Sequence, residues 1–314
     1  MVKWREANYC NLKLLLIFLV VYGHWIEPYI HQDEALLSQY RFIYFFHMPV
    51  FVFLSGLFLS DAAGCIRQVK RLAPIYIVCQ GTAVLMGAAT RVDKPYWVLW
   101  YLLSVCIWSG LGAVWFRMNR RSLAWVLLPL SVLVGAMAGY LPFLDRTWSG
   151  SRTVVFFPYF FAGLLCNPHT QWRRHRNFGI LAGVAALCGI WLWGVGIPVT
   201  FLYHASSYGD MEHGFSLRLL CYGIGTLMVV FLLTSIPTRR LPFTKVGTDT
   251  LPIYLVHAPI VACARTVPVP WISCAWLSAG LIYAIYRMVQ WKGRLYGVIT
   301  QSGRETRVWI SRDI

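Results

Sequence analysis

Charge is what this 314-residue chain has least of. Charged residues make up 13% of it, and only 12 are acidic, whereas a soluble domain carries about a quarter. Few long polar stretches remain in which to place a separate soluble domain. The nine cysteines form no CxxC pair and no metal-ligand spacing with histidines. Neither His-x-x-His nor Glu-x-x-His occurs, which argues against the usual zinc sites. Most cysteines lie within or at the ends of apolar segments and read as small packing residues; Cys263 and Cys274 flank a short loop. The N-terminal apolar run lacks a following A-x-A cleavage site and is interrupted by Lys13, His24 and Glu27, so it reads as a retained first span rather than a signal peptide. No internal repeat is evident.

Apolar residues are what the chain has in abundance. They account for 58% of it, with a mean hydropathy of +0.57. Runs near the ~20 residues that cross a bilayer recur from end to end. The expected fold is all-α, a polytopic transmembrane helical bundle forming a single integral membrane domain over residues 1–314. Ten spans are expected near 11–30, 41–60, 72–90, 96–116, 123–141, 153–166, 178–196, 216–236, 250–264 and 271–291. The sixth and ninth are short and contain Pro158 and Pro259.

The net charge of +16 follows from topology. With ten spans, twenty of the 28 Lys and Arg residues fall on one side and seven on the other, while Lys13 lies inside the first span. The positive-inside rule then places both termini in the cytoplasm. Basic cytoplasmic loops meet anionic lipid head groups, so nucleic acid is not an expected partner. The longest outer loop, 197–215, holds Tyr203, His204, Tyr208, Asp210, Glu212 and His213. Such side chains suit a hydroxyl-rich ligand, although aromatics at a membrane interface also form ordinary belts.

Polar groups inside the spans are the candidates for chemistry, because they are expensive there. Lys13 and His24 are eleven residues apart, about three helical turns plus 20° and a rise of roughly 16 Å. They therefore share one helix face. His47 lies in the second span and His257 in the ninth; with His24 they occupy one layer, His24 and His47 roughly 9 Å below the outer boundary and His257 about seven residues below it. Glu27, one turn from His24, is placed to orient or charge-stabilise an imidazole. The plain alternatives are a histidine bonded to a neighbouring helix and a Lys13 that snorkels to the surface. Arg67, Lys70 and Arg71 lie three and four apart at the start of the third span. They read either as topogenic charge or as a clamp for phosphate oxygens.

Together these residues resemble acyltransferase family 3, with its fucose-4-O-acetylase-like branch the nearest. Lys13-x10-His24, Phe46-His47-Met48-Pro49 with Phe53-Leu54-Ser55-Gly56, and the basic run into Arg71-Leu72-Ala73-Pro74 carry the resemblance. Leu99-Trp100-Tyr101-Leu102, Arg152 with Phe156-Phe157-Pro158-Tyr159, and Ile253-Tyr254-Leu255-Val256-His257 look like later landmarks. The resemblance covers essentially the whole chain. It implies transfer of an acyl group, usually acetyl, from cytoplasmic acyl-CoA to hydroxyls of a cell-surface or lipid-linked glycan, in the bacterial cytoplasmic membrane. It puts the family's first-helix histidine at His24 and its basic partner at Lys13. The family's Arg-x-x-Arg appears here as Arg67-x-x-Lys70, and an acidic residue before the first-helix base appears as Asn11.

On this reading His24, Glu27 and His47 are the catalytic group, and Lys13, Arg67, Lys70 and Arg71 bind acyl-CoA. Trp100, Tyr101, Arg152 and His257 form an acceptor-binding or structural polar layer. No cofactor is expected to stay bound; acetyl-CoA is a co-substrate. His24 acts as general base or as an acyl relay, and His47, an indole or a tyrosine hydroxyl stabilises the oxyanion. The rival reading is a transporter of a small anion or lipid-linked sugar with a His/Glu proton relay. Against it stand the missing repeat and the one-sided basic cluster.

Overall fold

The computed structural model describes residues 7–209, 211–264, 270 and 273–291, and among them there is no β-strand. The helices are α1 (Ala7–Ile26), α2 (Glu34–Leu57), α3 (Ala62–Leu85), α4 (Trp100–Met118), α5 (Ala124–Met137) and α6 (Gly150–Leu165). They continue with α7 (Arg176–Trp193), the one-turn α8 (Val199–Leu202), α9 (Gly214–Ser235) and α10 (Leu251–Ala264), and α11 spans 273–291. Every expected span thus falls on a helix. The largest shift is at α3, which starts ten residues before the expected 72, so Arg67, Lys70 and Arg71 lie within the helix.

Short polar side chains set the helix starts. Asp33 accepts from the backbone N–H of Ala35 at 2.8 Å and of Leu36 at 3.2 Å. Asp61 caps α3 by accepting from Gly64 N–H at 2.5 Å. These are the N-cap bonds that satisfy the orphan donors of a first turn. At its other end α4 stops on Asn119 in the left-handed conformation, φ 49°, one of the few non-glycine residues that tolerates it.

Six helical segments are long and apolar enough to cross a membrane: Ala7–Tyr29, Glu34–Leu57, Trp97–Met118, Arg121–Tyr140, Trp172–Gly196 and Gly214–Ser235. On α5 and α7 the apolar side chains face outward, with Trp125 88%, Leu181 68% and Trp191 79% exposed. So large an apolar surface does not persist in water. The chain is an all-α, polytopic integral membrane protein, and those faces meet lipid.

The helices belong to two compact units, one formed by Ile30–Arg239 with Met1–Asn8, the other by Tyr9–Tyr29 with Arg240–Ile314. In the larger unit, α2 and α6 touch backbone to backbone. A Cβ on Gly56 would lie 2.1 Å from Phe160 O, and one on Gly163 would lie 2.2 Å from Phe53 O. Small residues allow this approach, from which membrane helices gain their dispersion energy. The Phe53-Leu54-Ser55-Gly56 motif is thus in part a packing device. On α4, the Trp108 indole donates to Thr153 O at 2.8 Å and Ser104 bonds Thr153 Oγ1 at 2.7 Å, tying α4 to α6.

In the smaller unit, α1 packs against the 3-10 turn Thr244–Thr248. A Cβ on Gly247 would sit 1.9 Å from Cys10 O. Beside it Thr244 donates to the buried Asn11 Oδ1 at 2.5 Å. These contacts hold the start of α1 ahead of Lys13.

Candidate active site

Three of the residues singled out in the sequence meet in the smaller unit. His24 lies in the last turn of α1, and Glu27 opens the 3-10 turn that follows. The change from α-helix to 3-10 helix brings the carboxylate to the ring: His24 Nδ1 is 3.5 Å from Glu27 Oε2. A carboxylate only accepts, so Nδ1 is the donor in this contact. The side chains are 14% and 26% exposed, buried enough to strengthen the interaction yet open to a reactant.

His257 of α10 completes the group. Its ring stacks on that of His24, with centroids 5.5 Å apart and an interplanar angle of 23°. Its Nδ1 donates to Ile253 O, one turn back, at 3.0 Å. The residue is 0% exposed, and its Nε2 has no hydrogen-bond partner among the described residues. A buried ring nitrogen without a partner among the described residues therefore accompanies the His24 ring. Lower on α1, Lys13 Nζ donates to Thr248 O at 3.3 Å. That bond directs the ammonium to the loop before α10, so Lys13 is engaged within the protein rather than simply extended into a head-group layer.

The other expected residues belong to the larger unit. His47 is buried in α2, its Nδ1 donating to Ile43 O at 2.7 Å and its ring edge-on to Tyr44 at 4.8 Å. Trp100, Tyr101 and Arg152 form one polar-aromatic layer. Arg152 lies over the Trp100 ring at 4.8 Å and donates through Nε to Tyr203 O at 2.9 Å. Tyr101 OH bonds Ser55 Oγ at 2.5 Å. Tyr203 extends the layer to α2, with its hydroxyl 3.1 Å from that of Tyr40 and its ring 5.5 Å from Tyr44. His257, grouped with these residues by sequence, stacks on His24 in the smaller unit.

Arg67, Lys70 and Arg71 lie on one exposed face near the start of α3. Arg67 is 3.9 Å from Asp61, both side chains being mostly in solvent, an arrangement worth little as an ion pair. Segment 197–215 differs from expectation more sharply. Instead of an open loop offering its side chains to a ligand, it folds inward, burying Phe201, Leu202, His204 and Tyr208. Tyr208 OH donates to Ala136 O at 2.7 Å, and Ser151 Oγ donates to His204 O at 2.9 Å. Glu212 and His213 remain exposed, and Asp210 lies outside the described residues.

Sequence reasoning did not assign Ser55, Thr244 or Thr248. Ser55 stood inside a quoted motif, but nothing in either span announces its pairing with Tyr101, 46 positions on. Among the described residues no group of three or more His, Cys, Asp or Glu side chains is arranged to hold a metal ion.

A family model described as an acyltransferase domain matches residues 9–289. Among curated proteins, nodulation protein NolL of Sinorhizobium fredii (strain NBRC 101917 / NGR234) is 24% identical over 302 residues, covering 82% of this chain and 78% of its own length. Nodulation protein NolL of Mesorhizobium japonicum (strain LMG 29417 / CECT 9101 / MAFF 303099) is 27% identical over 224 residues, covering 60% of this chain and 57% of its own length. No solved structure matches.

Proposed function

The chain belongs to the acyltransferase family whose domain model spans residues 9–289, and from that membership we propose a membrane O-acyltransferase acting from acyl-CoA onto a sugar hydroxyl. Membership makes the chain an acyltransferase and sets the transporter reading aside. The donor is cytoplasmic acyl-CoA, with acetyl the family's usual group. The acceptor is a cell-surface or lipid-linked glycan, and the site is the bacterial cytoplasmic membrane, crossed ten times with both termini inside.

The observation that carries the reading is the His24–Glu27 contact at 3.5 Å. A sugar hydroxyl is a poor nucleophile until a base takes its proton. His24 Nε2 accepts that proton as the oxygen attacks the thioester carbonyl. Glu27, on the opposite ring nitrogen, stabilises the imidazolium that forms. That attack forms the ester C–O bond; collapse of the tetrahedral intermediate re-forms the carbonyl and breaks the C–S bond, and the imidazolium returns its proton to the departing CoA thiolate. His257, stacked on His24, is a positioning residue that keeps the ring from rotating. Arg67, Lys70 and Arg71 are suited to the phosphates of CoA because guanidinium and ammonium groups bind phosphate oxygens. His47 and the Trp100–Arg152 layer are assigned to oxyanion stabilisation and acceptor binding.

The test is thiol release by purified protein given acetyl-CoA and candidate glycans. Wild type should release CoA only with an acceptor, forming one acetyl ester per thiol. Thiol release unchanged in His24→Ala would remove His24 from the chemistry. A labelled acyl-enzyme trapped in wild type and absent from His24→Ala would replace the base with a histidine relay.

A further inference from the structure

The larger unit contains a cavity of about 10 Å³ walled by α2, α6, α9 and the segment after α8, with His204, Arg218, Val155, Tyr159, Cys221 and Tyr222 in its lining. Arg218 is 2% exposed and always charged. Its Nη1 donates to Phe201 O at 3.3 Å, and its guanidinium lies 4.0 Å from the Phe201 ring centroid and 5.6 Å from that of Tyr208. Those contacts leave its Nε with no hydrogen-bond partner among the described residues, and none of the ion pairs among them involves it. A second buried nitrogen, Nδ1 of His204, is likewise without a partner.

The nearby hydroxyls do not make up the deficit. Tyr222 OH donates to Val155 O at 2.6 Å, and Tyr159 OH donates to Tyr222 O at 3.2 Å. Among the described residues the wall thus presents a buried cation and two unsatisfied nitrogens but no carboxylate. A buried charge is costly unless it is paired and hydrogen-bonded. Cation–π contact supplies part of the compensation, and the cavity has room for one particle of about the size of a water molecule.

We propose that this cavity binds a single monatomic anion, chloride in the cell, held by the N–H of Arg218 Nε and by His204 in its Nδ1–H tautomer. The anion supplies the missing counter-charge and accepts from both nitrogens. It also fixes the segment 199–208, which Arg218 reaches through Phe201 and Tyr208 and which Ser151 holds at His204 O. This site is independent of the assignment of His24 and of acyl transfer.

Thermal unfolding of the purified full-length protein, in sodium chloride or bromide against sodium gluconate at matched ionic strength, tests it. Binding to the folded state raises the unfolding temperature with ligand concentration, and the expected rise at saturating halide is about 5 °C in wild type. Arg218→Lys keeps the charge but loses the Nε geometry, and should lose most of that rise; His204→Phe should weaken it. Should both variants fail to fold, a bromide anomalous peak in wild-type crystals locates the ion directly. Equal unfolding temperatures in halide and gluconate, an undiminished rise in Arg218→Lys, or a cavity without bromide would each overturn the proposal.

Discussion

On the proposed mechanism His24 takes a proton while lying inside a membrane helix. Glu27 lies at one of its ring nitrogens and His257 against its ring face. If His257 acts by holding that ring, His257→Leu should lower kcat about tenfold with KM unchanged. The folded state should be as stable as wild type or more so, because the substitution removes a buried nitrogen that has no partner among the described residues. Measuring kcat, KM and the unfolding temperature on one preparation checks both parts. The proximity of Glu27 to His24 was legible in the sequence for a simple reason. Glu27 follows His24 by three residues, across the end of α1 and the start of the next turn, where a fixed rise and rotation convert spacing into geometry. The stacking of His257 on His24 is a long-range contact, and no periodicity encodes it.

At the scale of elements, α3 carries the basic cluster and α2–α6 the closest packing. Changing Arg67, Lys70 and Arg71 together to Gln should raise KM for acyl-CoA at least tenfold and leave kcat with saturating donor nearly unchanged. Steady-state kinetics with varied acetyl-CoA would show it. Because the three side chains are exposed, the unfolding temperature should barely move. Gly163→Ala should behave in the opposite way. Its new Cβ meets Phe53 O at 2.2 Å, and relieving such an overlap by helix displacement costs about 1–3 kcal/mol. A fall of several degrees in unfolding temperature would be the sign, with no specific effect on KM. Spans were legible because apolar length is a strong local signal. The start of α3 was not, since Asp61 caps a helix that runs ten residues beyond its apolar part. Segment 197–215 was misread because polar and aromatic composition resembles an exposed loop, whereas its burial depends on partners such as Ala136 and Ser151.

For the whole molecule, composition identified the class, an all-α polytopic membrane protein, while a donor taken from the basic side belongs to the proposed function. What composition could not give was the inner counterpart of that charge, a guanidinium buried on α9 beside a histidine from a segment expected to lie outside. Arg218 looked like one of seven minority charges on the outer side, and only packing distinguishes it from them. The central claim, however, concerns the imidazole of α1. The most direct measurement is single-turnover transfer of labelled acetyl from acetyl-CoA to glycan by wild type, His24→Ala and Glu27→Gln, each first shown to unfold at the wild-type temperature. The account predicts a loss of about 10²–10⁴-fold in His24→Ala, the usual contribution of a general base, and a smaller loss in Glu27→Gln. Transfer at the wild-type rate by folded His24→Ala would contradict it.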